Sequence, residues 1–188
     1  MTKLVVSVLL LSTLLASCSN RENQIQSAIK DPAISVSVKK TDSLINTHYF
    51  RLDGDSVVIL PFEIEISLSH RAREKMENNG ETIVVSAVFT GTPKDSAGAK
   101  FGEDGSFYVA SADIEIPYGQ IARFDSIKFS KILYDQLANK DIELGVNVFS
   151  GRKSSRDNLL NCEPLFDKVS NIVNKKFILK GKLISGDD

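Results

Sequence analysis

The sequence predicts a mainly β fold, an antiparallel β-sandwich of eight to ten strands with two short helices. Three observations carry that expectation. Apolar and polar residues alternate along most of the chain after Pro32, the pattern of strands with one buried and one wet face. Gly, Pro, Asn and Asp punctuate the alternation where turns are needed. Helical spacing of apolar residues is confined to two short segments, too little helix to cover one flat sheet of that many strands.

Taken in order, Ile34, Val36 and Val38 alternate with Ser35, Ser37 and Lys39 in the first expected strand. Asp53-Gly54 separates Phe50-Arg51-Leu52 from Val57-Val58-Ile59 and reads as a hairpin turn, because primed turns need the positive φ that glycine tolerates. Phe62, Ile64, Ile66 and Leu68 alternate with Glu63, Glu65 and Ser67. Ser69 then caps a helix with Ala72 and Met76 on its stripe and Asn78-Asn79-Gly80 at its end. Residues 83–89 are apolar on both faces, which places them in the middle of a sheet. Tyr108, Ala110, Ala112, Ile114 and Ile116 form the next inward row. Ser130 caps the second helix, with Leu133 and Leu137 on its stripe and Asn139-Lys140-Asp141 at its end. Ile142, Leu144, Val146 and Val148 repeat the alternation. Asn174-Lys175 is expected to turn a hairpin between residues 169–173 and the last strand, 177–184. Pro61 and Pro117 fall at strand ends, where a missing N–H does least harm.

Each helix leads into a strand with a similar ending, Val88-Phe89-Thr90-Gly91 and Val148-Phe149-Ser150-Gly151. A strand-helix-strand unit used twice would place the loops after Gly91 and Gly151 at one end of the sandwich. Both loops are long, and long loops at a sandwich end commonly carry binding. The second presents Arg152, Lys153 and Arg156 among Ser154, Ser155, Asp157 and Asn158, cations suited to carboxylate or phosphate groups of a partner. The other reading of the same three residues is a solvated turn.

The chain has 188 residues, 23 Lys and Arg against 24 Asp and Glu, and a net charge of −1. Such a balance gives no electrostatic pull on nucleic acid, so none is expected as a partner. At the N-terminus, Lys3 precedes an apolar-to-small run over residues 4–15 and the small pair Ala16-Ser17. That is the layout of a secretory signal, too short for the roughly 20 apolar residues of a membrane span. The run ends in Leu15-Ala16-Ser17-Cys18, which resembles the bacterial lipoprotein signal.

The resemblance covers only the N-terminal tenth of the chain and implies acylation of Cys18, with loss of the signal before it. The expected organisation is a signal peptide over 1–17, a lipidated tether over 18–32 and a single β-sandwich over 33–188. Two or three acyl chains give the stable anchoring that one does not. The implied partner of Cys18 is therefore a lipid bilayer, at the bacterial cell envelope. Ser19, which is not Asp, favours the outer membrane in the lipoproteins that the signal resembles. Whether the domain faces the periplasm or the exterior stays open. With Cys18 acylated, Cys162 has no intramolecular partner and is either a reactive thiol or a buried structural one.

Candidate chemistry is sparse. No Gly-x-Ser-x-Gly elbow, Walker loop or dinucleotide fingerprint occurs, and no cofactor is expected. Asp53, Asp55, Glu103 and Asp104 are calcium-ligand types without the spacing of a calcium loop. His48, His70 and Cys162 have no zinc spacing, so no metal is expected. Glu63 and Glu65 stand about 7 Å apart on one strand face, a separation found in glycosidase pairs and equally in any half-exposed strand. The expected function is accordingly non-catalytic: a membrane-anchored envelope lipoprotein acting as a binding or scaffold module, with a subunit of an envelope or secretion assembly as its sharper form. A periplasmic immunity or inhibitor protein that caps a toxin or hydrolase is the second reading. A small hydrolase using His48 or His70 is the third.

Overall fold

A computed structural model describes residues 45–96, 99–103 and 105–185. The chain divides into two compact units, Met1–Lys40 and Thr41–Asp188, and every described residue belongs to the second. The expected signal, Cys18, the tether and the strand at 34–38 lie outside the described residues.

The fold is mainly β, with strands arranged in three sheets and few helical residues, in keeping with the β-sandwich read from the alternation. Strands β1 (Phe50–Asp53) and β2 (Ser56–Ile59) form the expected hairpin. Its turn is Gly54-Asp55, one residue later than expected, with Gly54 at φ +59°. β3 (Phe62–Leu68) buries Phe62, Ile64 and Ile66 as the alternation requires. It runs into helix α1 (His70–Asn78), where the Ser69 hydroxyl accepts the Ala72 N–H at 3.2 Å and Ala72 and Met76 are buried.

β4 (Thr82–Pro93), the long apolar run, lies inside a four-stranded sheet. Its neighbours there are β5 (Phe107–Pro117) on one side and β8 (Leu137–Ser150) on the other, with β10 (Leu165–Lys168) beyond β8. The second four-stranded sheet has the order β6 (Ile121–Phe124), β3, β11 (Lys176–Leu183), β9 (Leu160–Cys162). A third sheet joins β1 and β2 to β7 (Lys128–Ser130). The sheets share one core. Phe62 of β3 stacks on Phe124 of β6, with centroids 4.7 Å apart, and meets Phe89 of the facing sheet edge-on at 6.3 Å.

Four expectations change. In β5 the pairing register slips between Phe89 and Thr90 of β4, a bulge that reverses which side chains face inward. Phe107 and Val109 are therefore buried, and Tyr108, read as inward, stands on the outer face. Helix α2 (Lys131–Gln136) is capped by Ser130 as expected, but its buried residue is Tyr134, and Leu137 already begins β8.

The hairpin expected at Asn174-Lys175 does not form. Val169, Ile172 and Val173 are spaced i, i+3 and i+4, a helical period, and Val169–Ile172 is helix α3. After it, Asn174 at φ +59° donates its N–H to the Pro61 carbonyl, and Glu63 donates to the Lys175 carbonyl at 3.0 Å. These bonds start β11 alongside β3, parallel to it, in an otherwise antiparallel set of pairings. Finally, His48, read as a strand residue, lies in the turn before β1.

Candidate functional site

The register of the β10-β8-β4-β5 sheet sets two rows on its outer face. One is Phe166, Gly145, Val88 and Ser111; the other is Lys168, Glu143, Thr90 and Tyr108. Gly145 supplies no side chain, and the Phe166 ring lies over it so closely that a Cβ there would stand 3.3 Å from Cε1. A cleft of about 570 Å³ opens along these rows, and Asp167 and Asn171 complete its rim. Phe166 is 78% exposed and Tyr108 46% exposed, so the cleft has an aromatic residue on a strand at each side.

The polar rim is held in place. Asn171 of α3 donates to Asp167 Oδ1 at 2.7 Å, and the Lys168 N–H donates to the same oxygen at 2.7 Å. The Asn171 bond, then the Lys168 N–H, keep the Asp167 carboxyl below its ordinary pKa. Lys168 Nζ lies 2.8 Å from Asp141 Oδ2, and that hydrogen bond and charge hold its ammonium above the usual value. The cleft thus sets exposed aromatic surface beside fixed charges of both signs.

The loop with Arg152, Lys153 and Arg156 is organised by a different residue, Glu81. This residue is 4% exposed, and its carboxylate accepts four hydrogen bonds: from the Thr82 N–H, the Lys153 N–H, the Ser154 N–H and the Ser154 hydroxyl, at 3.1, 2.9, 2.8 and 2.6 Å. Burial pushes the carboxyl pKa up, but the Ser154 hydroxyl and the three N–H groups outweigh it and hold the group at about 2 instead of 4.5. Lys153 also reaches Glu115 on β5 at 3.0 Å, and the Arg152 guanidinium lies 6.0 Å from the Phe149 ring centroid. Arg156 is exposed. Two of the three cations thus tie the loop to its own fold.

The two loops read as neighbours stand at opposite ends. β4 and β8 are antiparallel, with Gly91 opposite Ile142 and Ile83 opposite Ser150. The Gly151 N–H donates to the Thr82 carbonyl at the start of β4, so Gly91 and Gly151 are separated by about 27 Å of strand. Similar sequence endings on antiparallel neighbours cannot meet.

No family model, curated protein or solved structure matches this chain.

Several of the remaining sequence candidates are held in ion pairs away from the cleft. Glu63 pairs with Arg123 at 3.3 Å and Glu65 with Lys176 at 2.9 Å. Asp53 binds Lys128 at 2.7 Å, and Asp104 lies outside the described residues. His70 Nδ1 stands 3.5 Å from Glu74 on the exposed side of α1, and His48 is in its turn; neither lines the cleft. Among the described residues no group of three His, Cys, Asp or Glu gathers as a metal site. Cys162 is buried on β9 directly opposite Gly181 of the neighbouring β11, which makes room for it: a Cβ at Gly181 would overlap the thiol sulfur. Burial raises that thiol to about 11, the environment of a structural cysteine. Sequence alone singles out neither Phe166 nor Glu81. Gly145 at an outward position of an alternating strand is the available signal for close approach by a neighbour such as Phe166. Glu81 offers none.

Proposed function

We propose that this protein is a lipid-anchored envelope binding module that holds a protein partner through the aromatic-edged cleft on the outer face of the β10-β8-β4-β5 sheet. The observation that carries the reading is Phe166, a large apolar side chain at 78% exposure set against Gly145 beside the cleft. A partner that covers this ring removes apolar surface from water, and such aromatic residues dominate interface energetics. The cleft replaces Arg152, Lys153 and Arg156 as the main contact surface, because the Lys153 ammonium is paired with Glu115 and its backbone N–H with Glu81. The anchor is acylated Cys18, supported by the motif Leu15-Ala16-Ser17-Cys18, and the outer membrane is its expected location.

Two experiments test the reading. Cys18→Ala is expected to move the protein from the membrane fraction to the soluble fraction; full retention on membranes would remove the anchor from the proposal. A photo-crosslinking residue at Asn171, on the cleft rim, is expected to trap a discrete envelope protein in intact cells. The adduct should fall at least fivefold with Phe166→Ser, at unchanged thermal midpoint. An adduct indifferent to Phe166 would place the contact elsewhere.

A further inference from the structure

Among the described residues, the core is covered more completely at the β8 side of the large sheet than at the β5 side. Core-facing Val85, Ala87 and Phe89 of β4 and Leu144, Val146 and Val148 of β8 are almost wholly buried. The matching row on β5, Ala110, Ala112 and Ile114, packs on the same core but stays half-buried. β5 ends the sheet: among the described residues it pairs with β4 alone. Its far edge therefore presents backbone N–H and C=O groups without a strand partner among those residues. Open edges are usually blunted by shortness, bulges or proline. β5 has its bulge near Val109 and its proline at Pro117, so residues 110–116 between them form an uninterrupted stretch.

We propose that the edge of β5 accepts an additional strand from a partner polypeptide whose side chains alternate small apolar with basic. This goes beyond the cleft and does not depend on it. The apolar side chains would extend the Ala110, Ala112 and Ile114 row and finish covering the core. The basic ones would meet the outward row of Ser111, Asp113 and Glu115, all exposed. Glu115 already accepts the Lys153 ammonium at 3.0 Å and the Thr82 hydroxyl, so Asp113 is the carboxylate of the row with which a partner's cation would mainly pair. Backbone pairing supplies affinity in strand addition, and alternate side chains supply specificity. A second copy of this chain fits less well, because self-pairing brings two rows of Asp113 and Glu115 side by side, and like charges across strands destabilise.

The probe is a fluorescent octapeptide of alternating valine and lysine, titrated against the full chain and followed by anisotropy and by amide hydrogen exchange. Saturable binding is expected, with slowed exchange at residues 110–116. Affinity should fall at least tenfold for the valine–glutamate peptide and for the valine–lysine peptide N-methylated throughout, which keeps charge but loses its donors. Asp113→Lys should weaken binding at least fivefold while leaving the thermal midpoint unchanged. Equal binding of the N-methylated peptide overturns the proposal, since contact is then electrostatic only. Binding without protection of residues 110–116 also overturns it, as does a concentration-dependent dimer that protects the same amides without peptide.

Discussion

Phe62→Ala is expected to lower the free energy of unfolding by about 4 kcal/mol. The ring is 1% exposed and lies face to face with Phe124, their planes 5° apart, while its edge meets Phe89 across the core. Phe124 and Phe89 are themselves at 1% and 0% exposure. Removing Phe62 therefore empties a site bounded by side chains of both large sheets, and the rigid strand backbones limit how far it can collapse. Urea denaturation followed by circular dichroism measures the change. A loss under about 1 kcal/mol, the scale of a single methylene, would mean that the two sheets are not joined through this ring. Phe62→Leu should recover about half of the loss, because most of the volume returns.

Glu81→Ala is expected to cost about 3 kcal/mol, although the residue lines neither the cleft nor the open edge of β5. Its carboxylate is the common acceptor for Thr82, Lys153 and Ser154, and its removal strands those donors at the base of the loop. The same residue sets a pH dependence. Its carboxyl titrates at about 2 in the folded protein and near 4.5 when unfolded, so the unfolded chain takes up the proton first as pH falls. The stabilisation, about 3 kcal/mol, is fully present above about pH 5 and is lost as pH drops from there toward about 2. Glu81→Gln should flatten the denaturation midpoint over that range relative to the parent. Parallel pH profiles for the two proteins would show that the carboxylate is not the linked group.

Local rules explain why some elements are legible in sequence and others are not. Ser69 and Ser130 cap helices because a short hydroxyl side chain at that position has a free N–H to accept, a fact of neighbouring residues alone. The alternation of β3, and of β8 from Ile142 onward, is likewise local, and its inward residues are buried as read. Tyr108 is misplaced because one extra residue at a bulge inverts the period, and a bulge depends on the partner strand. Residues 169–173 mislead because five residues with three apolar side chains satisfy a strand and a helical turn equally well until the surroundings decide. β6, β7 and β9 are only three or four residues long, shorter than a period can reveal. The site shares this division. Lys153 and Arg152 announce themselves by charge, yet the destinations of those charges, Glu115 and the Phe149 ring, are set by how the loop packs. Phe166 looks like an ordinary apolar residue, and only the pairing with Gly145 exposes its role.

The place of β11 between β3 and β9 bears on how the molecule comes together in time. The strand nearest the C-terminus in the described chain occupies the interior of its sheet and bonds in parallel to one of the earliest. Until β11 pairs through to Leu183, β6 and β3 are cut off from β9, and Cys162 lacks its cross-strand neighbour Gly181. Native structure must therefore wait for contacts spanning more than a hundred residues, the kind that slows folding. Under the proposed export of the chain from its N-terminus, that delay would keep the polypeptide unfolded during passage, with β11 closing the sheet after β3 and β9 are in place.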